Sequence, residues 1–347
     1  MNREEANALL RTMVEIPSPS GEEARLATYL ADVMSRCGMT SHVDEAGNAI
    51  GEIDRGDGPL VLLLGHMDTV PGDLPVRLEG GRLYGRGTVD AKGPLAAMIC
   101  AATLATGFRG RIVVAGAVEE ETPGSRGAMA IRATRPEPDL VIVGEPSGWD
   151  CVVLGYKGRL DLDYRVERPP THPSNPEPKA SELVVAGWTA LARELGADAS
   201  HASFDRPGAT LTSFGGDIAT AEARFTIRTP PGFDDADLVR RLRARLSEGD
   251  LTVVNSVPAC RADRNNLAVR ALTRAIRAEG ARPRLKLKTG TSDMNTLCET
   301  WAAPMATYGP GDSRLDHATD EHIVLDDYLR GVSVLTHALN SLAETGR

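Results

Sequence analysis

The sequence predicts an α/β protein: a mostly parallel sheet with helices on both faces, plus an inserted smaller α+β lid domain. Three observations carry this reading. Residues 60–64, 112–118 and 140–143 are continuous apolar runs of strand length, as in strands buried on both faces of a parallel sheet. Helical signals separate the runs. Residues 160–166 and 221–228 alternate strictly instead, which marks antiparallel strands with one buried face. The 35 glycines and 22 prolines supply turns for many short elements.

Taken in order, Ser20 followed three residues later by Glu23 predicts a capping box, with Leu26, Leu30, Val33 and Cys37 on the apolar stripe of the helix. Gly38 stands where that helix should stop. After the strand at 60–64, a helix is expected to start near Gly93, with Pro94 in its first turn, and to run through LAAMICAATLA. The strands at 112–118 and 140–143 follow, with acidic residues and a histidine just past the strand ends, where open α/β sheets place their sites.

The middle of the chain changes character. In 160–166, Leu160, Leu162, Tyr164 and Val166 alternate with Asp161, Asp163 and Arg165. RPPTHPSNPEP at 168–178 reads as a loop. A helix carrying Val184, Trp188, Leu191 and Leu195, the alternating strand at 221–228, and a helix with Leu238, Leu242 and Leu246 complete the insert. From about 260 the first pattern returns, ending in a helix with Tyr328, Val332, Leu335, Leu339 and Leu342. The expected division is a catalytic domain of residues 1–155 and 259–347 and a lid and dimerisation domain of residues 156–258.

A net charge of −9 and 4% aromatic residues argue against nucleic acid or an anionic membrane as partner. No apolar run has the length of a membrane span, and the N-terminal residues lack a signal-peptide core, so a cytoplasmic protein is expected. The five cysteines are scattered without a CxxC and read as reduced thiols, which leaves histidines and carboxylates to hold any metal.

Five stretches carry chemistry. GHMDTVPG places His66 and Asp68 two apart on an extended segment, so both face one side. An isolated HxD is more often a polar strand end. GRGTVDAKG puts Asp90 among glycines at a helix entry, where a lone aspartate is usually a cap. Glu119, Glu120 and Glu121 end an apolar strand, Glu145 ends another in VGEPSGW, and His317 lies in HATDEHI after a Gly/Pro turn. Singly each is weak. Jointly they supply His66, Asp90, one glutamate of 119–121, Glu145 and His317, a nitrogen and oxygen donor set suited to two zinc-like ions sharing a carboxylate, with a glutamate to spare as base.

The order HxD, GRGxxDxKG, multi-glutamate run, GEP and late histidine resembles the M20 family of metallopeptidases and aminoacylases, over nearly the whole chain. The resemblance implies a metal-dependent hydrolase of C–N amide bonds. His66 and Glu145 would bind one metal, Asp90 would bridge, and Glu121 and His317 would bind the second. Asp68 would orient His66, and Glu120 would be the general base. The family usually reads Asp-Glu-Glu where this chain has three glutamates, so Glu119 as base with Glu120 as ligand is the alternative register. His172 matches a donor that stabilises the oxyanion across a dimer interface, which implies a homodimer. Arg228 matches an arginine that meets the substrate carboxylate, and GTSDMN, with Gly290, Thr291 and Ser292, resembles a substrate-carboxylate loop. The cofactor implied is zinc, two ions per subunit, with cobalt as a substitute.

Within the family, AKGPL, the triple glutamate, GYKGR and KTGTSDMN resemble the hydrolases that release lysine, or ornithine in some members, from an amino-group carrier protein. Lys157 and Arg159 would offer a cationic face to an acidic carrier. The alternatives are an acetylornithine deacetylase or succinyl-diaminopimelate desuccinylase, a carboxypeptidase or dipeptidase of the same family, and a catalytically dead binding protein on this fold.

Overall fold

The computed structural model describes residues 1–342. The chain divides into two compact units, the first comprising Met1–Gly155, Ala262–Lys286 and the residues from Ser292 onward, the second Tyr156–Arg261 together with Leu287–Thr291.

The first unit is built on the apolar runs. Leu60–His66, Arg111–Ala117, Leu140–Gly144 and Met305–Thr307 pair in parallel, and Ala49–Asp54, Thr40–Val43 and Cys151–Tyr156 extend the sheet antiparallel. The α/β expectation holds. Val61, Leu63, Ile112, Val114 and Ile142 enter the main core from one face, while Leu62, Val113 and Val141 are buried on the other. That two-sided burial is why these strands read as unbroken apolar runs.

Helix Lys92–Leu104 is buried from Lys92 through Ala102 and apolar on every side, as a central core helix should be. A row of glycines lets it lie close to the sheet: Gly65 pairs with Gly116 on one side and Gly144 on the other, and an added Cβ on Gly144 would come 2.9 Å from Met98 of the helix.

Two local expectations change. The first helix is Arg3–Glu15, whose capping box is formed by Asn2 and Glu5. The next, Ala24–Arg36, has no side-chain cap, so the Ser20–Glu23 box does not form. Ser20 Oγ instead donates to Asp68, and Glu23 accepts from the amides of Gly21 and Glu119. Distant partners outbid the local motif for both side chains.

A small antiparallel sheet pairs Arg82–Tyr84 with Arg77–Glu79 and with His322–Val324. Its register, His322 opposite Tyr84, brings the loop after Tyr84 and the loop before His322 to the same end.

The second unit is a four-stranded antiparallel sheet in the order Gly208–Gly216, Thr220–Thr229, Gly158–Glu167, Asp250–Val257. Helices Ala180–Leu195 and Asp235–Arg245 supply Val184, Leu191, Leu238 and Leu242 to a core that includes Leu162, Tyr164 and Phe225 from the strands. No helix among the described residues is long and apolar enough to cross a membrane.

Candidate metal centre

The sheet ladder sets His66 and Glu145 side by side. Gly65 stands opposite Gly144, so the next residue of each chain segment leaves adjacent strand ends. His66 Nε2 lies 3.2 Å from Asp90 Oδ1 and 3.7 Å from Glu145 Oε1. On the other side, His317 Nε2 lies 3.1 Å from Asp90 Oδ2 and 2.8 Å from Glu121 Oε1. Two triads result, His66–Asp90–Glu145 and Asp90–Glu121–His317, each with its donor atoms within 4.8 Å of one another. Asp90 serves both, one oxygen to each.

Gly93 makes the Asp90 turn possible. A Cβ there would lie 2.3 Å from the Thr88 carbonyl oxygen, so only glycine lets the loop fold back onto the start of its helix.

The glutamate run sorts itself by geometry. Glu121 reaches His317, Glu119 turns away to pair with Arg126 at 2.7 Å, and Glu120 joins neither triad. Asp68 governs this turn. Its buried carboxylate accepts from Ser20 Oγ at 2.7 Å and from the backbone N–H groups of Glu120 and Glu121, each at 3.0 Å. His66 Nδ1 sits 2.9 Å from the Asp68 carbonyl oxygen and 3.4 Å from its carboxylate. A proton on Nδ1 shared with that carbonyl leaves Nε2 free as a ligand.

Electrostatics point the same way. Burial lowers His66 basicity, but its hydrogen bonds to Asp68 and Asp90 and the charge of Glu120 hold it well above the usual imidazole range. Hydrogen bonds to Asp90 and Glu121 raise His317 to about 10. Burial opposes ionisation of Asp90, yet His317 and His66 hold it well below the usual carboxylate range. Burial, then the charge of Glu145, pushes Glu120 well above its ordinary value. Three carboxylates thus converge on two imidazoles with more negative charge than the histidines can balance. Two divalent cations of nitrogen and oxygen preference would balance it, and the donor set fits them.

Several participants carried no clear sequence signal. Asp293 is buried, pushed up to about 7 by that burial, and takes a hydrogen bond from Ser125. Lys92 is buried with its ammonium donating to the Ile16 carbonyl at 2.8 Å, and burial lowers it to about 8. Ser20, Glu321 and Arg86 also act here through hydrogen bonds to distant segments.

The remaining sites lie elsewhere. His172 is exposed in the second unit, its ring 2.7 Å from Ser174 Oγ, and belongs to neither triad. Arg228 donates to Thr291 Oγ1 at 3.0 Å, which brings two of the expected substrate-binding residues together. Ser292 caps helix Asp293–Cys298: its hydroxyl oxygen accepts from the Met294 N–H, which leaves the hydroxyl proton to donate elsewhere, and its own N–H donates to the Asn295 side chain. An added Cβ on Gly290 would meet open space. Lys157 is a correction. It is buried, with its ammonium on the carbonyls of Ser200 and Arg206 at 3.1 and 2.5 Å, and offers no cationic face. Arg159 is tied to Asp161 at 2.8 Å.

Against known proteins, residues 62–341 match the model of peptidase family M20/M25/M40. The LysW-lysine hydrolase of Deinococcus radiodurans is 46% identical over 97% of this chain and 97% of its own length. The LysW-lysine/LysW-ornithine hydrolase of Saccharolobus islandicus is 31% identical over 98% of this chain and 96% of its own. Among solved structures, the M20 family metallo-carboxypeptidase Sso-CP2 from Sulfolobus solfataricus shares the fold at a TM-score of 0.84 and 17% identity, covering 99% of this chain and 100% of its own.

Proposed function

The chain belongs to peptidase family M20/M25/M40 and is a metal-dependent amide hydrolase, and from that premise we propose that it releases lysine from an amino-group carrier protein, with ornithine as a second product. The observation that carries the chemistry is Asp90 turning one oxygen to each of two His–carboxylate triads, with Glu120 left outside both. The relatives' names carry the substrate.

His66, Asp90 and Glu145 would hold one cation, and Asp90, Glu121 and His317 the other; zinc is the expected metal, two per subunit, with cobalt as a substitute. When bound, such a pair polarises the scissile carbonyl and acidifies a water. Glu120 accepts the proton of the attacking water and returns it to the leaving amine, a role its position beside both triads supports. Asp68 keeps Glu120 in place by holding its backbone N–H. His172 serves as oxyanion donor to the other subunit of a homodimer, in keeping with its exposed loop. Arg228 and Thr291, already hydrogen-bonded, receive the substrate carboxylate, with Gly290 and Ser292 shaping the same turn. The five cysteines are all free thiols, which supports a cytoplasmic setting.

The test compares kcat/KM for carrier-linked lysine, N-acetyl-lysine and N-acetyl-ornithine with metal supplied. Carrier-linked lysine should be preferred, and equal or better hydrolysis of free acetyl-ornithine would overturn the substrate assignment. Glu120→Gln should lower kcat by about 10²–10⁴ with metal content intact. Loss of metal instead would make Glu120 a ligand.

A further inference from the structure

Glu321 lies four residues beyond His317, is 1% exposed, and belongs to neither triad. Its Oε1 accepts the backbone N–H of Val89 at 2.9 Å and of Asp90 at 3.2 Å. Its Oε2 takes Arg86 at 2.9 Å, and the same Arg86 nitrogen donates to the Ala318 carbonyl at 3.2 Å. Its own carbonyl accepts from Gly85. One side chain and one arginine therefore stitch the loop that ends in Asp90 to the loop that begins at His317. Both loops leave neighbouring strands of the small sheet, at the same end.

These loops need such a fastening. His317 has φ of +61°, a left-handed conformation that a non-glycine residue keeps only when its surroundings enforce it. No ladder runs through either loop to hold Asp90 against His317 at 3.1 Å. A buried carboxylate accepting two successive amides supplies the missing constraint.

We infer that Glu321, braced by Arg86, is a positioning residue that presets the Asp90–Glu121–His317 site for its cation. The inference rests on the two-cation reading above and is independent of which amide is cleaved. Ligands with intact outer-shell partners bind metal about 10–100-fold more tightly than those without. His66 and Glu145 sit on the sheet and share only Asp90 with the other triad, whereas Asp90 and His317 both stand on the fastened loops, so removing Glu321 weakens the Asp90–Glu121–His317 equivalent more than the other.

The experiment titrates Zn²⁺ into metal-free protein against a chromophoric chelator, with the melting temperature recorded alongside. Wild type should take up two equivalents. Glu321→Ala should weaken the Asp90–Glu121–His317 equivalent by about 10–100-fold and the other by less, and Glu321→Gln, which keeps an acceptor oxygen for both amides but loses the Arg86 ion pair, should fall between wild type and Ala. Two wild-type affinities in the Ala variant would overturn the inference, as would equal weakening of both equivalents, the mark of a merely structural residue, or a Gln variant as impaired as Ala. Should the Ala variant fail to fold, Arg86→Leu decides instead: one equivalent weakened by at least about threefold supports the brace, and no change removes it. A wild type binding fewer than two equivalents overturns the two-cation reading itself and this inference with it.

Discussion

The two triads share Asp90 yet are held by different means. His66 and Glu145 end neighbouring parallel strands whose ladder runs from Val61 opposite Leu140 to Gly65 opposite Gly144, so many backbone hydrogen bonds fix their separation. Glu121 and His317 stand on loops, in a region where Glu119 and His317 adopt positive φ, and individual side chains fasten them: Asp68 on the amides of Glu120 and Glu121, Glu321 on those of Val89 and Asp90. Apart from the shared Asp90, the strand-held half rests on the sheet ladder rather than on individual side chains. The loop-held half depends on a few, and its precision is correspondingly easier to break.

The largest expected effect is at Asp68. Asp68→Ala removes the acceptor for two amides and a hydroxyl at once and frees the turn that carries Glu120 and Glu121. Hydrolysis should fall by about 10²-fold or more, the usual result of displacing a reacting group by an ångström. The half-buried donors left unpaired should also lower stability in urea unfolding, each by less than the roughly 1–3 kcal/mol of a fully buried one. A kcat within tenfold of wild type would erase the distinction between the two halves.

A second variant attacks the strand-held half through its core. Leu63 is fully buried in the central strand, and Leu63→Ala should cost about 2–5 kcal/mol by the cavity it leaves. Both zinc affinities should nevertheless stay near wild type, because the ladder keeps its register. A selective fall at one equivalent would mean that the strand ends are less firmly set than the pairing implies.

The smallest effect is a pH signature of the metal-free protein. His317 is raised to about 10 by Asp90 and Glu121. A histidine raised in the folded state stabilises it fully below its unfolded value of about 6.5, and that contribution disappears as pH rises through the folded value. The melting temperature of wild type minus that of His317→Gln, in chelator, should be positive near pH 6 and vanish above about pH 10. With 48% of the side chain exposed, solvent screening should keep the gap to no more than about 3 °C. A gap constant across that range would show that the imidazole carries no extra proton.

Much of this was legible in the chain. The central strands show themselves because both faces are buried, and the inserted strands because only one is. Arg3–Glu15 also has a sequence signal, with Asn2 and Glu5 at its cap and Leu9, Leu10 and Met13 at helical spacing. The stretches that carry the candidate ligands are legible because each follows a strand end or a glycine-rich turn. What misleads is any side chain whose partner is far along the chain. Ser20 and Glu23 match a local capping pattern, but their partners Asp68 and Glu119 lie 48 and 96 residues away. Lys157 looks like an exposed charge at a strand end and is caged by two carbonyls some forty to fifty residues on.

The sequence by itself determined the α/β class, the inserted antiparallel unit and the residue types that meet at Asp90, because burial periodicity and donor chemistry are local properties of the chain. Only the tertiary structure decided which glutamate of the run faces His317, and that Asp68, Glu321 and Arg86 act on backbone amides and carbonyls of other segments. A hydrogen bond between distant segments depends on where folding brings its two ends, and no local pattern in the chain records that.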